Sequence, residues 1–391
     1  MLWRSFPLFL VFWSPLAISA AKTVEVANPL TPIDVSGFHD SAHHWRFFRD
    51  ESRVILVEPN QPSYAPEQVR EIVANILLFQ RDNGGWPKDY DMTAVLTEAQ
   101  KATIQETHAA ADTSFDNGNI HSQVTYLARA YAQSPEPSWR AACERGFDFL
   151  LAAQYPNGGF PQRYPGAKDF HAHITFNDFV TIGILEALNS AATDEPHFQW
   201  LDSPRRKAAR DAVRRGLDCI LRCQIRVDGK LTGWCQQHDR ETFEPRPARS
   251  FELVSICPQD TTAIVRFLME QKKPSPAMIQ AVDAAVRWLE KVRLSGIRVE
   301  KVAAPKEEFA GYTSEYDKAI VNDPQAPPLW ARHYEIGTDR PVFAGRDGVR
   351  KYTFGEMERE RRTGTPWFGT WPARLLEKDY PKWREKVRRI D

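Results

Sequence analysis

The chain has no excess charge of either sign: Lys+Arg 51 stand against Asp+Glu 51 in 391 residues. Net charge therefore does not favour nucleic acid as a partner. No internal run reaches the roughly 18 apolar residues that an ordinary membrane span needs. The apolar stretch Phe6 to Leu16 is shorter; it follows Arg4 and precedes Ala17-Ile18-Ser19-Ala20-Ala21. That order reads as an export signal over residues 1–21, so the mature chain is expected to be secreted or periplasmic and free of the membrane after cleavage. Cysteines are few and odd in number: Cys143, Cys219, Cys223, Cys235 and Cys257. At least one thiol must stay unpaired even where disulfides are permitted. Cys219 and Cys223 lack a second pair at zinc-finger spacing, which leaves the reading of core thiols. There is no Gly-x-Ser-x-Gly elbow, no Gly-Lys-Thr phosphate loop and no His-Glu-x-x-His.

What the chain does have is repetition. Leu77-Leu78-Phe79-Gln80 leads to Asn83-Gly84-Gly85-Trp86-Pro87, and Leu151-Ala152-Ala153-Gln154 leads to Asn157-Gly158-Gly159-Phe160-Pro161. Leu221-Arg222-Cys223-Gln224 leads to Asp228-Gly229 and then Gly233-Trp234, and a fainter copy runs from Trp288-Leu289 to Ser295-Gly296. The spacing of roughly 70 to 75 residues is that of paired helical hairpins. A mainly α chain built this way is expected to form an (α/α) toroid whose long loops line a cleft. Twelve Trp and eleven Tyr suit core packing or carbohydrate stacking.

Apolar periodicity places helices after about residue 65. Val69, Ile72, Val73, Ile76 and Leu77 form one face. Thr97-Glu98-Ala99-Gln100 has the spacing of a capping box, and Pro137-Ser138 marks another helix start. Residues 22–62 carry β-type pieces, Thr23 to Val26 and Val54 to Val57, and read as a small β/loop segment ahead of a domain spanning 63–391. Beyond about residue 297, Gly, Pro and aromatics predict long loops and short strands over the helices.

Two acidic residues stand in polar loops before apolar helices. Asp116 lies in Thr113-Ser114-Phe115-Asp116-Asn117-Gly118 and Asp178 in Phe176-Asn177-Asp178. At helix N-termini both would stay ionised, which suits a hard cation such as calcium, and both also suit simple N-caps. Arg249, Arg332, Arg340 and Arg346 sit among Gly- and Pro-rich turns, where they can fork onto the carboxylates of an anionic ligand or order loops by ion pairing. These residues alone describe a cleft for a charged polymer. They leave open a lyase, a hydrolase with paired acids, and a non-catalytic binder of acidic polysaccharide.

Six motifs narrow this. Asn83-Gly84-Gly85-Trp86-Pro87-Lys88, Phe115-Asp116-Asn117-Gly118, Tyr155 to Gln162, Phe176-Asn177-Asp178, Arg332-His333-Tyr334-Glu335 and Gly345-Arg346-Asp347-Gly348 occur in that order. Together they resemble the pectate lyases of polysaccharide lyase family ten. The resemblance implies calcium-assisted anti β-elimination on polygalacturonate or pectin oligosaccharides. The chain is short for an attached carbohydrate-binding module, so a lone, monomeric catalytic domain is expected. The resemblance implies Arg346 as the base, Asp178 as the calcium aspartate and Asp116 as a second active-site and metal-binding acid. Lys88, Asn117, Arg249 and Arg332 would bind substrate carboxylates. His333 stands where an aromatic is expected, which would alter a subsite.

Overall fold

The computed structural model describes residues 30–388, so the predicted export signal lies outside the described residues. The helices are α1 (His39–Phe47), α2 (Val69–Phe79), α3 (Glu98–Gln105), α4 (His121–Gln133), α5 (Pro137–Ala153) and α6 (Val180–Ala192). They continue as α7 (Ser203–Cys223), α8 (Pro258–Glu270), α9 (Pro276–Lys291), α10 (Arg359–Gly364) and α11 (Tyr380–Arg388). Hairpins α2/α3, α4/α5, α6/α7 and α8/α9 stand side by side. Helices α2, α4, α6 and α8 pack in that order as one row, and α5, α7 and α9 as a second. This is the mainly α, (α/α) toroid architecture that the repeats predict. None of the helices among the described residues is long and apolar enough to cross a membrane.

The repeated Gln and Trp explain the period. Gln80 Nε2 donates to the carbonyls of Gly84 (3.0 Å) and Ala142 (2.9 Å). Gln154 does the same to Gly158 (3.0 Å) and Ala212 (2.9 Å), and Gln224 to Thr232 (2.7 Å) and Ala281 (3.0 Å). Each Gln thus ties its own turn to the next helix of the second row, and satisfies carbonyls that burial would otherwise strand. Trp86 and Trp234 bury their rings and donate Nε1 to Ile76 and Ile220, both at 2.7 Å. The turn glycines let the next helix close in. Gly158 has φ +96°, and a Cβ there would lie 2.0 Å from the Arg215 carbonyl oxygen. At Gly84 (φ +93°) the clash is milder, 2.6 Å to the Arg145 carbonyl oxygen. Gly158→Ala is therefore expected to lower stability by about 2 kcal/mol or more, and by more than Gly84→Ala, read from urea midpoints at constant slope.

The capping box at Thr97 and Gln100 forms as predicted. The β reading of residues 54–57 does not hold. Val54 N–H donates to Tyr90 Oη (3.0 Å), the Ile55 carbonyl accepts from Trp45 Nε1 (3.3 Å), and the Leu56 carbonyl accepts from Gln100 Nε2 (2.8 Å). Side chains take the groups that a strand would need. Residues 36–47 are helical instead, and Phe38, Ser41 and Trp45 turn inward. Ile33, Phe38, Trp45 and Ile55 join the main hydrophobic core. The other predicted strand piece, Thr23 to Val26, lies outside the described residues. After α9 the chain forms one long antiparallel ribbon, Ile297–Glu308 with Thr313–Asn322, and then the short strands that were expected, Trp330–Ala331, Phe343–Ala344, Arg350–Lys351 and Phe368–Gly369. The tip of the ribbon meets the N-terminal segment: Arg49 N–H donates to Gly311 O at 2.8 Å.

Candidate active site

The loops that enter α4, α6 and α8 gather at one end of the first row, beside the turn that follows α2. A cavity of about 140 Å³ lies among them, lined by Lys88, Asp116, Gln162, Asn177, Arg249 and Glu252, with Phe170, His171, Gln236, Gln237 and Ala248. A neighbouring cavity of about 500 Å³ shares Lys88 and His171 with it. A larger cavity, about 800 Å³ along α4 and α6, holds none of the predicted site residues.

Asp116 is the centre of the polar network. Lys88 Nζ lies 2.6 Å from its Oδ2 and 3.3 Å from Asp89 Oδ2, and Gln162 Nε2 donates to Asp116 Oδ1 at 2.6 Å. Burial disfavours the Asp116 carboxylate, but Lys88 and these hydrogen bonds outweigh it and hold its pKa well below the usual range. Burial likewise acts against charged Lys88, and Asp116 with Asp89 reverses that, so Lys88 stays protonated. Asp178 behaves in the opposite way. Burial and the adjacent Asp116 charge push its pKa well up, against the opposing pull of Arg332. The sequence-based expectation of two ionised aspartates is corrected here: a neighbouring buried carboxylate outweighs the helix terminus. Asn177 Nδ2 donates to Asp178 Oδ2, so the Asp178 carboxyl is also engaged by its neighbour in sequence.

Neither aspartate is an N-cap. Helices α4 and α6 begin at caps Ile120 and Phe179, with no side-chain cap bond. Asp178 and Phe179 have φ of 50° and 59°, a left-handed pair that aims the Asp178 carboxylate back into the loop cluster. A three-stranded antiparallel sheet of Ile174–Thr175, Gln237–His238 and Pro245–Arg246 fixes this loop from behind. Gln236 Nε2 donates to Asn177 Oδ1 at 2.6 Å, and Arg332 Nη2 donates to the same oxygen at 3.2 Å. Arg332 is buried and its Nε has no partner among the described residues.

The arginines divide. Arg249 lines the cavity and forks onto Glu252, with Nε and Nη2 at 2.7 and 2.6 Å from the two carboxylate oxygens. Arg346 lies outside the cavity lining, exposed, and forks onto Glu360 at 3.1 and 2.9 Å. The two are linked through Phe251. Its ring centroid is 4.8 Å from the Arg249 guanidinium carbon, 4.5 Å from that of Arg361 and 5.5 Å from that of Arg346. Asp347 turns away to Lys351 (2.7 Å), so it does not oppose Arg346. Arg340 stacks on Tyr352 instead. Asn117 is buried with its amide donating to Asp89, and does not line the cavity. His333 is buried too, hydrogen-bonded through Nδ1 to Ser255 Oγ at 2.8 Å, so it belongs to the core and leaves the cavity wall unchanged.

Residues 80–376 match the family model for pectic acid lyase. The chain belongs to polysaccharide lyase family 10. The family 10 polysaccharide lyase from Cellvibrio cellulosa has a similar structure, with 28% identity and a TM-score of 0.66 over 79% of this chain and 90% of that one. An aspartate-to-alanine mutant of that lyase, solved in complex with trigalacturonic acid, gives 27% identity and a TM-score of 0.66 over 79% and 91% of the two chains. No curated protein gives a match.

In this family 10 chain the donor set fits a hard cation. A cation would offset the buried Asp116 charge that keeps half-buried Asp178 from ionising, and Gln162 Oε1 is buried without a partner among the described residues. Asp116 is already committed to Lys88 and Gln162. A second group, Asp40, His43 and His44, brings three further ligand atoms within 4.8 Å of one another and could coordinate a divalent ion. Sequence reasoning missed Glu252, Glu360, Phe251 and Asp89. Only Arg249-x-x-Glu252 carried a readable signal, an opposite-charge pair three residues apart.

Proposed function

We propose that the protein is a pectate lyase that cleaves polygalacturonate by anti β-elimination with an arginine base and a calcium ion. The observation that carries this reading is the cavity that sets Arg249 and Lys88 opposite Asp116, with Asp178 beside it, in a chain whose family relative binds trigalacturonic acid. Asp178, with Asp116 and Gln162 Oε1 nearby, would hold calcium, which when bound neutralises the C6 carboxylate and stabilises the charge that develops after C5 loses its proton. Lys88 and Arg332 add fixed positive charge around the same carboxylate. A guanidine nitrogen takes the C5 proton, C4=C5 forms, the C4–O bond breaks, and the leaving oxygen takes a proton from solvent.

The motif match assigned the base to Arg346. Geometry favours Arg249 for that role and a clamping role for Arg346, because Arg249 lines the cavity and Arg346 does not. Both are held protonated by glutamates: burial opposes charge on Arg249 but Glu252 outweighs it, and the Glu360 hydrogen bond acts on Arg346. What favours the neutral form is the crowd of cations. Three guanidiniums share the Phe251 ring, with Lys88 and Arg332 around the aspartates, so removing one proton relieves repulsion. Activity is expected to rise toward alkaline pH.

A hydrolase on the same frame needs its two carboxyl groups about 5 to 9.5 Å apart. Asp116 and Asp178, adjacent in the loop cluster, are the pair such a reading would use. Incubation with polygalacturonate and calcium at alkaline pH is expected to raise ultraviolet absorbance from conjugated uronate ends. New reducing ends without that absorbance would establish hydrolysis instead. Binding without either product would establish a non-catalytic polysaccharide binder.

A further inference from the structure

Helix α1 precedes the region matched by the family model, yet it lies against the catalytic turn. Ser41 Oγ donates to the Asn117 carbonyl at 3.1 Å, and a Cβ built on Gly118 would come within 3.0 Å of Gly37 O. On this helix Asp40, His43 and His44 fall at i, i+3 and i+4, so they share one face. Their ligand atoms lie within 4.8 Å of one another, with His44 Nε2 3.8 Å from Asp40 Oδ1.

We propose that Asp40, His43 and His44 bind one zinc-class transition-metal ion at the rim of the acidic cleft, distinct from the calcium centre. Zinc holds nitrogen and oxygen donors at about 2.0–2.2 Å, which sets tetrahedral donors roughly 3.4 Å apart. Reaching that spacing requires rotation of Asp40 and His43, both of which are exposed. Two imidazoles and one carboxylate suit zinc, nickel or copper, and suit calcium poorly. Neither imidazole nitrogen pair has a hydrogen-bond partner among the described residues. The rings are held by aromatic contacts: His44 stacks on Phe48 at 5.0 Å, and His43 lies 5.1 Å from Phe47 and 5.5 Å from Phe48. Asp89 and Asp116 add negative field at His44, opposed by Lys88. Helix α1 has no side-chain N-cap bond, so a metal bridging its turns would stiffen the element that covers Asn117.

The test uses the full chain, stripped with chelator and titrated with zinc by calorimetry and by the histidine ring resonances. One equivalent is expected to bind, shifting the resonances of His43 and His44 and raising Tm. His43→Ala and His44→Ala are each expected to weaken binding at least about tenfold. A hundredfold excess of calcium should not displace the ion. Asp178→Asn, which alters the calcium centre, should leave zinc affinity unchanged. Zinc affinity that survives both histidine substitutions, or that is lost only with Asp178→Asn, overturns the proposal, as does no uptake at millimolar zinc. None of these outcomes depends on lyase turnover, so the proposal and the lyase reading stand or fall separately.

Discussion

Arg249→Ala is expected to lower kcat on polygalacturonate by about 10³-fold, within the range a positioned general base supplies, while trigalacturonate still binds. Arg346→Ala is expected to raise KM and to leave most of kcat. The difference follows from position. Arg249 lines the cavity and can face a sugar ring there, whereas Arg346 stands outside the lining, 5.5 Å from the Phe251 ring centroid and forked onto Glu360. Single-turnover kinetics with measured substrate affinity separates chemistry from binding. If Arg346→Ala removes turnover with binding intact and Arg249→Ala only weakens binding, the base is Arg346, as the motif match implied. Arg249→Lys should not restore the rate, because an ammonium lacks the planar fork held by Glu252.

Asp178→Ala is expected to raise the calcium concentration for half-maximal activity by about 100-fold or more, since even the loss of a residue supporting a ligand costs 10 to 100-fold. Chelator should stop the wild-type enzyme without unfolding it, because the protein offers too few oxygens for a full calcium shell and substrate must complete it. The raised pKa of Asp178 adds a pH signature. Calcium must displace its proton, so the calcium requirement should steepen, by up to about tenfold per pH unit, as pH falls below that raised value. Calcium titrations at several pH values should show this slope in the wild type and lose it in Asp178→Asn. The same shift sets a stability effect. A carboxyl whose folded pKa lies above its unfolded value favours folding at low pH, and that contribution is lost as pH rises through the folded pKa. Asp178→Asn should therefore raise Tm at pH 8 and change it little near pH 3. Unchanged calcium dependence in Asp178→Ala would move the metal elsewhere, with Asp116 the next residue to replace.

The helical frame was legible because its signals are local and repeated. The Leu-x-x-Gln and Gly-turn pattern encodes bonds that recur after α2, α5 and α7, and the Thr97 capping box is a four-residue fact. The N-terminal segment was misread because Val54 to Val57 has strand composition while its backbone groups are taken by Tyr90, Trp45 and Gln100, far away in sequence. In the site, the residue types in Asp116, Asp178 and the arginines were readable from motifs. Their protonation was not, because it depends on which charges meet: Asp116 meets Lys88, and Asp178 meets Asp116. The ranking of the arginines was hidden for the same reason. It rests on Phe251, Glu252 and Glu360, which no motif singled out.

The placement of Ile33, Phe38, Trp45 and Ile55 in the main core bears on how this gene can be recombined. The family match begins at residue 80, and that boundary looks like a natural crossover for chimaeras between relatives. Cutting there would keep every proposed catalytic side chain and discard the helix that covers the Asn117 turn. It would also open the faces on which Trp45 and Phe38 rest. Such hybrids are expected to fail in expression rather than in chemistry. A crossover placed ahead of Ile33 keeps the cover and the turn in the same parent.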